Sequence, residues 1–150
     1  VPQSLANVLI HIVFSTKLRA PLLKKEIRQE LHPYMVGIVQ KNGCGPVQIG
    51  GIEDHVHLLI SLSRTITIAQ LVEHLKTGSS KWLKEQSPAL KEFAWQAGYG
   101  VFSVHPAQAH EVIRYIHSQE AHHQKYSYQE ELRSLMAEAG VEIDERYVWD

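Results

Sequence analysis

Apolar residues recur along this chain at two spacings, about two residues in some stretches and about three and a half in others, and the changes of spacing mark the elements. Leu5 to Ser15 is rich in Leu, Val, Ile and Phe and runs into Thr16-Lys17-Leu18-Arg19, which predicts a buried strand followed by a basic loop. From Lys24 to Lys41, Ile27, Leu31, Met35 and Ile38 recur at steps of three and four, and Gly43 follows as a C-cap, so this stretch reads as a helix. Pro46 to Ile52 predicts a short strand with a Gly50-Gly51 kink. Glu53-Asp54 then turns the chain into a second strand, His55 to Leu62. A longer helix begins near Thr67, with Ile68, Leu71, Val72, Leu75, Ser79, Trp82 and Leu83 on one stripe and Pro88 beyond its end. Tyr99 to Val104 is a fourth strand. Pro106 opens a helix whose apolar face holds Ala109, Val112, Ile113 and Ile116. Ser127 with Glu130 is a capping-box signature for a last helix carrying Leu132, Leu135 and Met136 and stopped by Gly140.

Strand, helix, strand, strand, helix, strand is the βαββαβ order of ferredoxin-like α+β folds with an antiparallel sheet, here extended by C-terminal helices. Two helices cover one face of such a sheet. The other face must be covered by a partner, a ligand or the C-terminal helices.

Composition narrows the class. With 150 residues, 44% of them apolar, the chain can bury a continuous core as one domain. Fifteen Lys and Arg against sixteen Asp and Glu give a net charge of −1, which argues against attachment to nucleic acid by bulk charge alone. The charge is unevenly placed, since residues 1–100 carry a net +4 and residues 101–150 a net −5. A single cysteine, Cys44, excludes an intrachain disulfide framework and a cysteine-rich zinc site. The longest apolar run near the start, Val8 to Phe14, is interrupted by His11 and is too short to span a membrane. The expectation is a soluble, unexported cytoplasmic protein without a membrane partner.

Ten histidines make spacing the place to look for chemistry. In His55-Val56-His57-Leu58-Leu59-Ile60-Ser61-Leu62, successive side chains point to opposite faces. Val56, Leu58, Ile60 and Leu62 form one apolar face, and His55 and His57 lie side by side on the other, where two imidazoles can present nitrogens to one divalent cation. A bare His-x-His pair is short and common, and by itself reads as two half-exposed surface histidines.

Asp54-His55-Val56-His57-Leu58-Leu59 resembles the His-hydrophobic-His element of the HUH nucleases, specifically the single-tyrosine transposases of the insertion sequence 200/605 group. The resemblance extends through Thr16-Lys17-x-Arg19, Lys76-x-x-Ser79-Ser80, Trp95-Gln96-x-Gly98-Tyr99, Ser103-Val104 and Tyr115-Ile116-x-x-Gln119, in that family's order. It implies one transposase domain over residues 1–150, with a ferredoxin-like core over about 1–105, a tyrosine helix over 106–126, and a helix and tail over 127–150. It also implies Tyr115 as nucleophile and His55, His57 and Gln119 as ligands of Mg²⁺ or Mn²⁺; the imidazoles alone would equally suit Zn²⁺, Ni²⁺ or Co²⁺. Tyr115 and Gln119 are four apart on the predicted helix, with Glu111 and His122 on the same polar stripe. A tyrosine at helical spacing is otherwise ordinary core. A phenol oxygen can attack a phosphodiester, and a cation can polarise the scissile phosphate. The implied reaction leaves a 5′-phosphotyrosine and a free 3′ hydroxyl, and needs no ATP for rejoining.

Lys76 and Lys81, with Ser80 between them, suit phosphate contacts, as do Lys17, Arg19 and Arg114. Trp82 reads equally as core or as a base platform. The family implies single-stranded DNA bearing hairpins as substrate and a homodimer as the assembly, with Tyr115 serving either its own His pair or the partner's. His11 reads as a hydrogen-bonded core residue, His122 and His123 as a polar helix end in preference to contacts with metal or DNA, and the acidic segment from Val141 to Asp150 as a docked tail. Two other readings share these features: an HUH nickase of replication or conjugation, which normally sits in a larger protein, and a noncatalytic single-strand binding module.

Overall fold

A computed structural model describes residues 2–150. Strands β1 (Leu9–Ser15), β2 (Gly45–Gly51), β3 (His55–Ser61) and β4 (Gly100–Val104) form one sheet in the order β2-β3-β1-β4, with every neighbouring pair antiparallel. Helix α1 (Lys25–Lys41) follows β1 and helix α2 (Ile68–Gln86) follows β3, which is the ferredoxin-like βαββαβ arrangement. Thr67 caps α2 through a reciprocal capping box with Gln70. The first strand is shorter than its apolar run predicts. The paired register ends at Leu9 opposite Ser61, with one last bond from the Leu62 N–H to the Val8 carbonyl at 2.8 Å, and Leu5 upstream is 83% exposed.

Alternation along β1 and β3 sorts their side chains strictly. Ile10, Ile12, Phe14, Val56, Leu58 and Ile60 pack beneath α1 and α2 with Leu31, Met35, Leu71, Leu75 and Leu83. His11, Val13, His55, His57 and Leu59 face the opposite side.

The chain's own C-terminal elements cover that second face. Helix α3 (Ala109–His117) lays Val112, Ile113 and Ile116 against Leu9, Leu59 and Val104. Helix α5 (Tyr128–Glu138) sets Tyr128, Leu132 and Met136 against Val13, and the tail adds Ile143, Val148 and Trp149. Two glycines make these approaches possible. A Cβ on Gly50 would lie 2.4 Å from the Ile116 carbonyl oxygen, and one on Gly100 would lie 3.0 Å from both Met136 Cε and Val13 Cγ1. The Gly50-Gly51 kink read from the sequence is thus the seat of the tyrosine-bearing helix.

One expectation needs correction here: the continuous tyrosine helix over 106–126. Pro106–Gln108 form a 3-10 turn, α3 runs only to His117, and a separate single turn, α4 (Gln119–His122), follows. The ladder breaks at Ser118, whose N–H goes back to Arg114 and Tyr115 while its backbone leaves helical geometry at φ −94°, ψ 18°. Gln119 is buried just beyond that break, so the interruption directs its amide inward while His117 and Ser118 stay exposed. Among the described residues no helix is long and apolar enough to cross a membrane.

Candidate metal and tyrosine site

Pairing of β1 with β3 sets His55 opposite Ser15 and His57 opposite Val13, under the cover of α3, α4 and α5. Both imidazoles are completely buried. Each is oriented through Nδ1: His55 Nδ1 donates to Asp54 Oδ1 at 2.7 Å, and His57 Nδ1 shares a hydrogen bond with His11 Nε2 at 2.7 Å. Both Nε2 atoms then point at a common place, the arrangement in which a second partner fixes the tautomer and leaves the other nitrogen free for a ligand. His11 is therefore a buried, hydrogen-bonded support.

At that common place lies the carboxylate of Glu131, from α5. Its Oε1 is 2.9 Å from His57 Nε2, 3.1 Å from His55 Nε2 and 3.2 Å from His123 Nε2. Its Oε2 accepts from Gln119 Nε2 at 3.0 Å and from the Tyr115 hydroxyl. Gln119 Oε1 in turn sits 3.0 Å from His55 Nε2. Tyr115 packs edge-on to His57, with ring centroids 5.7 Å apart. The four residues singled out for chemistry, His55, His57, Tyr115 and Gln119, converge on one point in a single chain.

Glu131 is not among the residues the sequence singles out for the site. His123 was expected at a polar helix end, yet its imidazole is almost wholly buried among these groups. A signal for Glu131 exists: Tyr128, Glu131, Leu132, Leu135 and Met136 make the inward stripe of α5, and a carboxylate in an apolar stripe requires a buried partner.

The electrostatics follow from burial and this shared carboxylate. Burial pushes Glu131 up, but the close imidazole nitrogens of His123, His55 and His57 outweigh it and hold the carboxyl well below its usual range. Burial likewise opposes charge on His55, but its bonds to Asp54 and Glu131 win and raise it to about 9. His57 lacks a second carboxylate, so burial dominates and lowers it to about 4; His11 is lowered to about 3 by burial and then by His57. Burial and the Glu131 charge raise Tyr115 well above the ordinary phenol range, so the hydroxyl stays protonated in this arrangement. A cleft of about 340 Å³ lined by Tyr115, Glu131, His122, Glu111 and Glu138 opens onto the hydroxyl.

The residues read as DNA contacts divide into groups. Lys76, Ser80 and Lys81 line one groove of about 650 Å³ between α2 and the 93–97 segment, together with Lys84. The exposed turn carrying Lys17 and Arg19 adjoins that segment through the Lys17 N–H to Ala94 carbonyl bond of 2.9 Å. Lys76 is committed elsewhere than expected: its ammonium donates to the carbonyls of Gln96, Ala97 and Gly98, and so ties the loop before β4 to α2. Trp82 is partly buried and stacks on Tyr34 at 5.1 Å. Arg114 is exposed on α3, apart from the groove.

Comparison with known proteins places this geometry in context. The chain is 28% identical over 114 residues to the ISDra2 transposase TnpA of Deinococcus radiodurans, covering 73% of this chain and 81% of the relative. A crystal structure of a protein from Deinococcus radiodurans R1 has the same fold and superposes with a TM-score of 0.63 at 24% identity, over 79% of this chain and 95% of that one. A REP-associated tyrosine transposase bound to a REP hairpin has the same fold, with a TM-score of 0.61 at 12% identity, over 82% of this chain and 73% of that one. Residues 4–119 match the family model described as "Transposase IS200 like", a span that holds His55, His57, Tyr115 and Gln119 but ends before His123 and Glu131, and the chain belongs to that family.

Proposed function

We propose that this transposase cleaves and rejoins single-stranded DNA at hairpin-bearing ends by transesterification through Tyr115. The Tyr115 phenol oxygen forms a bond to phosphorus, the bond from phosphorus to the 3′ oxygen breaks, and a 5′-phosphotyrosine and a free 3′ hydroxyl result. His55, His57 and Gln119 hold the divalent cation, Mg²⁺ or Mn²⁺. Their donor atoms suit one: two Nε2 atoms with their Nδ1 positions already engaged, and an amide oxygen 3.0 Å from one of them. When bound, such a cation polarises the scissile phosphate and offsets the charge that collects on its oxygens. The protein's own part is to hold the phenol beside the buried His pair, where a cleft reaches its hydroxyl. A basic groove with Lys81 and Lys84, next to Lys17 and Arg19, offers phosphate contacts for the DNA.

The observation that supports this reading is the shared acceptor: the Tyr115 hydroxyl and both imidazoles meet at Glu131. The structural relative bound to a hairpin supports the substrate class. In the proposed active unit each chain's Tyr115 serves its own His pair, whether or not two copies associate. Gly50 seats α3 on its own sheet, and Arg28 of α1 holds Glu120 of α4 at 2.9 Å while donating to the Leu23 carbonyl at 2.7 Å.

Labelled hairpin-bearing oligonucleotides incubated with the protein and Mg²⁺ or Mn²⁺, then resolved by denaturing electrophoresis, test the reaction. A covalent adduct is expected from the unmodified protein, none from Tyr115→Phe, and roughly a thousandfold less from His57→Ala. Binding without adduct would mark a noncatalytic hairpin-binding module instead. Mixing Tyr115→Phe with His57→Ala tests the placement of the tyrosine: recovered adduct would show that the tyrosine works across subunits.

A further inference from the structure

The geometry points to His123 and Glu131 as ligands of the same cation, with Glu131 also holding the Tyr115 hydroxyl beside it. The inference rests on the reading that the His pair binds a cation. Both residues lie beyond the matched span of 4–119, on the C-terminal segment that folds back over the sheet.

Three observations carry it. One nitrogen each of His55, His57 and His123 and one oxygen of Glu131 lie within 4.8 Å of one another, and all four side chains are buried or nearly so. The separations from Glu131 Oε1 to the three Nε2 atoms are 3.1, 2.9 and 3.2 Å. Donors about 2.1 Å from one ion and at right angles around it stand about 3.0 Å apart, so these spacings are those of neighbouring ligands. His123 Nε2, finally, is buried without a hydrogen-bond partner, because its approach to Glu131 lacks hydrogen-bond geometry. A lone pair aimed into a closed polar site with nothing to accept from is costly unless a cation completes it.

The carboxylate changes what the centre can do. Two imidazoles and an amide leave the ion's charge uncompensated by protein, whereas Glu131 supplies one negative ligand, and His123 makes the set rich in imidazole. Imidazole suits first-row transition ions and carboxylate suits Mg²⁺ and Mn²⁺, which makes Mn²⁺ the ion common to both. Glu131 Oε2 remains on the Tyr115 hydroxyl and on Gln119, so one side chain ties the nucleophile to the metal centre. The C-terminal helix is then a catalytic element as well as a cover for the sheet.

Titration of the full chain with Mn²⁺ alone, followed by calorimetry and by loss of the free-ion paramagnetic resonance signal, tests this without any turnover. His57→Ala, Glu131→Gln and His123→Ala are each expected to weaken Mn²⁺ binding by about tenfold or more, and Glu131→Asp to weaken it less than Glu131→Gln. Circular dichroism and melting checked on each variant show which retain the fold; if Glu131→Gln does not, His123→Ala and Glu131→Asp carry the comparison. Unchanged binding in Glu131→Gln and His123→Ala, with His57→Ala impaired, would overturn this inference and leave the His-pair site standing. Unchanged binding in all of them would overturn the metal site itself. Tighter binding in Glu131→Gln would show the carboxylate to be a competitor of the ion, and would also overturn the assignment.

Discussion

The two faces of the sheet are built from the same two strands by opposite rules. On the side of α1 and α2, Ile12, Phe14, Val56 and Leu58 are fully buried among aliphatic neighbours, and the fit is one of volume. On the other side, one residue along each strand, His11, His55 and His57 are buried too, and each has a polar partner. The first face tolerates any arrangement that fills space. The second works only as a set, since an imidazole or carboxylate left alone there loses its compensation. A period-two pattern can thus serve stability and chemistry within seven residues, provided that separate elements close the two sides.

The contrast makes testable demands. Leu58→Ala, on the packing face, should lower stability by about 2–5 kcal/mol in urea denaturation. The adduct formed per folded molecule should stay near that of the unmodified protein, and a loss of adduct beyond the loss of folded protein would blur the division between the faces. Gly50→Val strikes the other side, where the added side chain meets the Ile116 backbone and must push α3 outward. We expect a fall in adduct of roughly a hundredfold from the misplaced tyrosine, with the α1 and α2 side intact by hydrogen exchange. Lys81→Gln in the basic groove should weaken hairpin binding a few-fold, and should reduce the slope of log affinity against log salt by about one phosphate contact.

The smallest effect concerns acid. His32, on α1 beside Ile49, is lowered to about 4 by burial and then by Arg28. Its folded value lies below the unfolded one near 6.5, so the unfolded chain takes the proton first. The stability that His32 contributes is complete above pH 6.5 and is lost as the pH falls toward 4. His32→Gln should flatten that part of the stability curve and leave stability at pH 7.5 little changed, as measured by urea titrations at each pH.

Much of this was legible in the sequence because it is local. Alternation in 55–62 fixes which residues share a face, and steps of three and four place Leu31 and Met35 on the buried side of α1. Thr67 and Ser127 announce helix starts through their own hydroxyls. The His pair and Tyr115 were found by motif, with Gln119 four residues on. The continuous tyrosine helix failed because a break at Ser118 costs little in sequence propensity and is decided by where Gln119 must point. Lys76 read as a phosphate contact because a lysine among hydroxyls looks free, and the three carbonyls that claim it lie twenty or more residues away.

The sequence by itself determined the order of elements, the apolar face and the position of two imidazoles on one strand, since each depends on neighbours within a turn or a pleat. Only the tertiary structure decided what covers the histidine face and what meets the imidazoles there. Glu131 lies 74 residues from His57, and no periodicity links them. Their meeting depends on two side chains that are missing, at Gly50 and Gly100, which let α3 and α5 descend onto the sheet. Contact at such separations is set by how whole helices pack, and a buried carboxylate is stable there only because that packing brings it its partners.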